Sequence, residues 1–231
     1  MVEVKTKNAY CEKHSLEYKA KNIFGNLWSQ CPKCNDEIKH KRELQEKREK
    51  EALEKEKEEY FNYYLETFSN IPKRYLNKHN DIRLFNNHTK HLENELRSNL
   101  FIVGDVGTGK TSFIVELFKK NKHRFPYYLS GNKLALYSDN DYRLNATLKA
   151  IDGKGLVCID EVQSLFLNKR VLILDNIIDK LYNNNSLMVL CGNFKNYDLT
   201  FLKEECYSRL SSRLRDGGCS ILIFKGKDLR G

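Results

Sequence analysis

The sequence predicts an α/β domain on a parallel five-stranded sheet, preceded by a small metal-binding module and a long charged helix. Three observations predict it. Short apolar runs alternate with helical stretches from residue 100 onward. Three cysteines and a histidine lie close together near the N-terminus. A run of Glu, Lys and Leu without Gly or Pro joins the two regions. The expected organisation is a metal module over 1–35, a charged helical linker over 36–68 and the α/β domain over 69–231.

In the first region, Cys11-x2-His14 is followed by Cys31-x2-Cys34. Two such knuckles separated by a loop of this length suit a tetrahedral Zn²⁺ with three thiolates and one imidazole. Four protein ligands leave no open position, so the spacing predicts a structural site. A segment this short cannot build a sufficient apolar core, and metal binding would supply its folding energy. Tyr10, Phe24 and Trp28 are expected to pack around it. Cys158, Cys191, Cys206 and Cys219 are expected to be core or near-core thiols.

The linker is rich in helix-favouring residues. Glu43/Lys47, Glu46/Lys50 and Glu51/Lys55 stand at i,i+4 in the favourable order. Its sparse apolar residues, Ile38, Leu44 and Leu53, keep no heptad, which argues against a coiled coil.

In the third region the candidate strands are Leu100–Gly104, Tyr127–Gly131, Gly155–Asp160, Ser186–Asn193 and Cys219–Phe224. Between the third and fourth, Val171, Leu174, Ile178 and Leu181 repeat at helical spacing. Strands alternating with helices imply a parallel sheet.

The first strand runs into Gly104-Asp105-Val106-Gly107-Thr108-Gly109-Lys110-Thr111, which fits G-x-x-x-x-G-K-[ST], and a helix is expected over Ser112–Lys120. The glycines let backbone N–H groups curl around phosphate oxygens, and the helix N-terminus adds partial positive charge. Lys110 is expected at the β/γ-phosphates of ATP and the Thr111 hydroxyl on Mg²⁺. The strand Leu156–Ile159 ends in Asp160-Glu161. Asp160 suits Mg²⁺ and Glu161 suits activation of an attacking water. The next strand ends in Gly192-Asn193, and Asn193 would lie beside the γ-phosphate if that strand neighbours the first. Arg209 and Arg213 share a helix face at i,i+4 before the glycines at 217 and 218.

Taken in order, these segments resemble the AAA+ ATPases of the DnaC/DnaI helicase-loader and IstB transposition-helper group. The resemblance covers about residues 70–231. It runs from Ile71-Pro72-Lys73-Arg74-Tyr75 through Asn99–Thr111, Cys158–Glu161 and Cys191-Gly192-Asn193 to the helix Ser208–Arg215. It implies an ATP-binding set of Gly104 to Thr111 with Ser112, a sensing role for Asn193, and Arg213 as a finger acting on a neighbouring subunit, with Arg209 the group's other arginine. It further implies an ATP-dependent ring or spiral on a DnaB-type hexameric helicase, with single-stranded DNA in the channel and Lys169 and Arg170 near it. Only 15 residues follow Asp216, too few for a helical lid, as is usual in this group. Gln163 stands where a glycine is common.

Two other functions fit parts of the pattern: an IstB-type helper that binds duplex DNA and a transposase, and a zinc-bearing DNA adaptor with little turnover. In the zinc module, Lys5, Lys7, Lys19, Lys21 and Lys33 are compatible with DNA contact, and docking on a helicase is the first expectation. No apolar run approaches the roughly 18 residues of a membrane span, and the first residues carry no secretory pattern. A cytoplasmic protein, of a bacterial cell or a phage-infected host, is therefore expected. The net charge of +9 is spread along the chain without a basic tail. That suits phosphate contact through an assembled channel.

Overall fold

The computed structural model of the chain describes residues 5–76, 88–138, 141–194, 208–216 and 218–226. The chain divides into two compact units, 1–60 and 61–231.

In the first unit, β1 (Thr6–Cys11) pairs antiparallel with β2 (Leu16–Phe24), and β2 with the short β3 (Leu27–Trp28). A 3-10 turn over Glu12–His14 joins β1 to β2 and is closed by Ser15 in the left-handed region. Helix α1 (Pro32–Thr67) begins four residues before the linker expected from 36. Proline has no N–H to lose and a preset φ, so Pro32 is a natural first helical residue. Among the described residues of this unit only Ala20 and Cys31 are buried.

The exposed flank of α1 carries ion pairs Lys39–Glu43, Lys47–Glu51 and Lys55–Glu59 at 3.9–4.0 Å. The three expected Glu-to-Lys pairs are not the ones formed. Lys47 and Lys55 each have a glutamate four residues away on both sides, and in water the two choices differ by only tenths of a kcal/mol.

The second unit takes the last turns of α1, where Phe61, Tyr64 and Leu65 are buried. It continues through α2 (Lys73–Leu76), α3 (Lys90–Glu93), β4 (Asn99–Gly104), α4 (Lys110–Lys120), β5 (Tyr127–Ser130), α5 (Gly131–Leu134), α6 (Tyr142–Ala150), β6 (Leu156–Asp160), α7 (Gln163–Leu167), α8 (Val171–Asn183), β7 (Leu187–Gly192), α9 (Ser208–Arg215) and β8 (Cys219–Phe224). The five strands β4 to β8 form one parallel sheet in the order β5-β6-β7-β4-β8.

Both faces of the sheet are covered, so its strands read as continuous apolar runs rather than alternating ones. Leu100, Ile102, Leu156, Cys158, Val189 and Cys191 point into one core, with Phe113, Leu117 and Phe118 of α4. Phe101, Val103, Val157, Ile159, Met188 and Leu190 point into the other, with Leu165 of α7, the apolar stripe of α8 and Leu210 and Leu214 of α9. Cys158 and Cys191 are fully buried thiols, and Cys219 is half-buried; Cys206 lies outside the described residues. Among the described residues no helix is long and apolar enough to cross a membrane.

Candidate functional site

The first unit converges on its cysteines and histidine. Cys11 ends β1, His14 closes the turn after it, Cys31 precedes α1, and Cys34 lies in its first turn. Their ligand atoms all lie within 4.8 Å of one another. His14 Nδ1 is 3.5 Å from Cys11 Sγ, 3.6 Å from Cys31 Sγ and 3.4 Å from Cys34 Sγ, and Cys11 Sγ is 3.6 Å from Cys34 Sγ. A tetrahedron with Zn–S of about 2.3 Å and Zn–N of about 2.0–2.1 Å has S···S edges of about 3.8 Å and S···N edges of about 3.6 Å. The residues therefore fit a zinc ion.

The electrostatics agree. Burial opposes ionisation of Cys11, yet hydrogen bonds from His14 draw it down to about 7. Cys34, hydrogen-bonded to Cys11 and partly desolvated, is pushed up to about 11. Crowded thiols cannot all ionise side by side unless a cation compensates them. The far ring nitrogen, His14 Nε2, meets Glu37 Oε1 at 2.9 Å. Glu37 also pairs with Lys13, and Lys13 first and His14 second hold its carboxyl at about 2. A carboxylate behind a ligating imidazole fixes the ring and its tautomer.

Tyr10 lines the hollow beside Cys11, Cys31 and Cys34 as expected, but Phe24 and Trp28 do not close over the centre. Phe24 is 84% exposed, Tyr10 is 59% exposed, and Trp28 is covered instead by Lys7 Nζ, 4.4 Å from the ring centroid. Phe24 is the last residue of β2, before the turn at Gly25. Ile23 and Leu27 beside it are 63% and 61% exposed.

In the second unit, β4 ends at Gly104 and α4 begins at Lys110, two residues before the expected start. Gly109 takes the cap position at φ 87°, and Gly107 lies at φ 80°. These angles let residues 104–109 fold back toward Lys110. Lys110 is 8% exposed. Its Nζ donates to the carbonyls of Gly104 at 3.0 Å and Asp105 at 2.6 Å, and Thr108 Oγ1 also donates to Asp105 O. A buried ammonium inside a ring of backbone, at a helix N-terminus that includes Thr111 and Ser112, is built for an anion. The loop has the sequence and backbone form of a P-loop.

Asp160 ends β6 and Glu161 follows it, two strands from the P-loop strand, with β7 between. Asp160 nevertheless reaches the P-loop, because Thr111 Oγ1 donates to its Oδ2 at 2.8 Å. A hydroxyl and a carboxylate side by side could hold a Mg²⁺. Glu161 N donates to Asp160 Oδ1 at 2.8 Å, and Ser130 Oγ donates to Glu161 Oε2 at 3.2 Å. Glu161 adopts φ 56°. A non-glycine residue held in the left-handed region is strained by about 1–3 kcal/mol, and such strain gathers at working sites.

Strand β7 pairs directly with β4, so its end at Gly192-Asn193 adjoins the P-loop strand. That is the condition under which Asn193 meets a γ-phosphate. The arginines lie elsewhere. Leu214 O of α9 accepts from Asn99 Nδ2 at 3.2 Å, and Asn99 opens β4 at the end of the sheet opposite Gly104. Arg213 ion-pairs with Asp179 of α8, and Arg209 lies 3.9 Å from the same carboxylate. Burial holds the neighbouring Asp175 above the usual carboxylate range, against the pull of Arg209 and Arg213. Lys169, at φ 55°, is exposed between α7 and α8, while Arg170 is half-buried and caps α8.

No family model matches the chain, and no curated protein matches it. Among solved structures, the chain is similar to a DNA replication initiation factor: 25% identity over 61% of this chain and 46% of that one, TM-score 0.46. It is similar to the DnaC helicase loader: 19% identity over 67% of this chain and 100% of that one, TM-score 0.46. It is similar to a primosome component from Streptococcus pyogenes serotype M3: 19% identity over 70% and 93%, TM-score 0.49. This chain thus spans less than half of the first structure and nearly all of the other two. Every one of these TM-scores is below one half.

Around the P-loop three partners were not foreseen. Tyr128 OH donates to Asp160 Oδ2 at 3.0 Å, Ser130 holds Glu161, and Gln163 Oε1 accepts from Asn193 N. Burial and the Asp160 charge push the Tyr128 phenol well above its ordinary range, so it remains a donor. Tyr128→Phe removes one of the donors on that carboxylate. The expected loss is about 1.5–3 kcal/mol of stability, read from the denaturation midpoint of the full chain with an unchanged transition slope.

Proposed function

We propose that the protein is an ATP-dependent loader of a replicative hexameric DNA helicase, acting during initiation of DNA replication and binding single-stranded DNA within a ring or spiral of its own subunits. The observation that carries this reading is the division of the hydrolytic residues between two ends of one sheet. Lys110, Thr111, Asp160, Glu161 and Asn193 gather at the C-terminal ends of the strands. Arg213 sits toward the other end. A parallel strand of six residues spans about 20 Å, so Arg213 of the same chain is out of reach, which supports action on a neighbour's nucleotide.

In this reading Lys110 meets the β/γ-phosphates, and Thr111 and Asp160 would hold Mg²⁺, which would offset charge on those phosphates. Glu161 takes a proton from the attacking water, and Asn193 orients that water. To act in trans, Arg213 exchanges Asp179 for the neighbour's γ-phosphate, which supports slow hydrolysis by the isolated chain. Lys169, exposed between two helices, is the best placed cation for single-stranded DNA, with Arg170 behind it.

The zinc module is read as the helicase-docking element. Three large apolar side chains, Ile23, Phe24 and Leu27, project from one short hairpin, Lys19 and Lys21 are exposed on β2, and Lys5 is exposed just before β1. Apolar groups this exposed on a small unit mark contact with a protein surface. The test is co-purification of the full chain with a hexameric helicase, with and without ATP. Ile23→Ser, Phe24→Ser and Leu27→Ser together should abolish the complex while zinc content stays at one per chain. An intact complex would overturn the docking role. Capture of duplex DNA and a transposase in place of the helicase would favour the IstB-type function instead.

A further inference from the structure

The loop that carries the acid pair and the end of β7 are tied by two hydrogen bonds. Val162 N donates to Cys191 O at 2.9 Å, a backbone contact open to many sequences. Asn193 N donates to Gln163 Oε1 at 3.1 Å, and this one depends on a single side chain. Gln163 follows Asp160-Glu161-Val162 directly and opens α7. Its amide reaches the backbone at the end of the adjacent strand.

Room for that reach exists because residue 192 is glycine. A Cβ on Gly192 would lie 2.8 Å from Gln163 Oε1 and 2.7 Å from a Phe194 ring carbon. The Phe194 ring is packed against Phe101 and Phe166, with centroids 5.8 and 5.9 Å away, so it cannot step aside freely. Asn193 Oδ1, in turn, is buried and has no hydrogen-bond partner among the described residues. A buried amide oxygen without a partner is rarely kept unless the site uses it.

We infer that Gln163 is a positioning residue for ATP hydrolysis, fixing the backbone of Asn193 relative to Glu161 so that the base and the water-orienting amide are set by one turn of chain. The inference rests on the hydrolytic roles proposed above for Glu161 and Asn193. Glu161 is already held at its N–H by Asp160 and at its carboxylate by Ser130. Asn193 receives the corresponding restraint from Gln163. Reaction geometry is steep in distance, and a displacement near 1 Å can cost about a hundredfold in rate.

The test uses the full chain in single-turnover ATP hydrolysis, with nucleotide affinity and thermal midpoint measured in parallel. Gln163→Met keeps the side-chain length and removes the acceptor. Hydrolysis should slow by about tenfold or more while ATP affinity stays within about twofold. The deciding comparison is a double-mutant cycle. Once Asn193 is alanine, Gln163→Met should slow hydrolysis by less than about twofold further, because Gln163 acts through Asn193. Wild-type hydrolysis by Gln163→Met would overturn the inference. So would the full slowing persisting in the Asn193→Ala background, since that would mark a general structural role. If Asn193→Ala alone hydrolyses at the wild-type rate, the role of Asn193 falls and the inference falls with it. A slow Asn193→Ala beside a normal Gln163→Met would leave that role standing and overturn the inference alone.

Discussion

Replacing His14 with alanine, or Cys31 with serine, should unfold residues 5–31 and leave the sheet unit folded. Only Ala20 and Cys31 are buried among the described residues of the first unit, so removing zinc leaves little to oppose chain entropy. Structural zinc contributes an apparent 10–16 kcal/mol, roughly, in small zinc modules. That exceeds anything two buried side chains supply. The wild-type chain should carry one zinc by elemental analysis, and each variant far less. Amide exchange in β1 and β2 should rise to near the unprotected rate, while β4 and β6 stay protected. A strong chelator should reproduce the pattern, and so should acid, because thiolates and imidazole must be deprotonated to bind metal. Protected β1 and β2 amides in a zinc-free chain would refute the metal centre. Glu37→Gln is a milder case, expected to weaken zinc binding by about 10–100-fold without unfolding the unit at saturating metal.

Glu161→Gln should bind ATP as the wild type does and lose hydrolysis by about 10²–10⁴-fold, the usual worth of a general base. The change keeps side-chain shape and leaves Ser130 a partner, so ATP affinity should not move. Arg213→Ala should be nearly as slow at concentrations where subunits assemble. Neither variant alone distinguishes a finger acting within the chain from one acting between chains. Mixing them does. A Glu161→Gln subunit offers an intact Arg213 to the intact P-loop and Glu161 of an Arg213→Ala neighbour, so the mixture should hydrolyse faster than either variant by itself. No recovery on mixing, together with normal Arg213→Ala hydrolysis, would refute the trans role. Asp179→Asn probes the same exchange from the other side. It frees Arg213 from its ion pair and should lower the protein concentration at which assembly-dependent hydrolysis sets in.

Much of this was readable along the chain because the signals are local. The strand, the glycines, Lys110 and Thr111 are contiguous, and so are Leu156–Ile159 and the acid pair. Two knuckles spaced by a hairpin named four ligands. The partners that complete each site were not readable, and each has its own reason. Tyr128 and Ser130 meet Asp160 and Glu161 because β5 pairs with β6 in a register that sets Tyr128 opposite Cys158 and Ser130 opposite Asp160. Nothing in either strand announces that pairing. Glu37 looks like one more acid of a charged helix until α1 starts at Pro32 and turns it toward His14. Phe24 reads as a packing residue for the zinc centre, but at the end of β2 it stands in solvent.

The sequence by itself determined the groups at hand: a glycine-rich loop with Lys110 and Thr111, two acids at a strand end, three cysteines and a histidine able to hold a metal, and the parallel sheet that long buried apolar runs require. Those are properties of neighbouring residues, and short-range spacing is enough to specify them. Tertiary structure alone decided which groups meet across the sheet. It put β7 between the acid pair and the P-loop strand, so Asn193 adjoins both. It put Arg213 at the far end beside Asp179, and it brought Gln163 to Asn193. The order of strands in a parallel sheet is set by crossover packing on its two faces, and that packing depends on the whole chain at once.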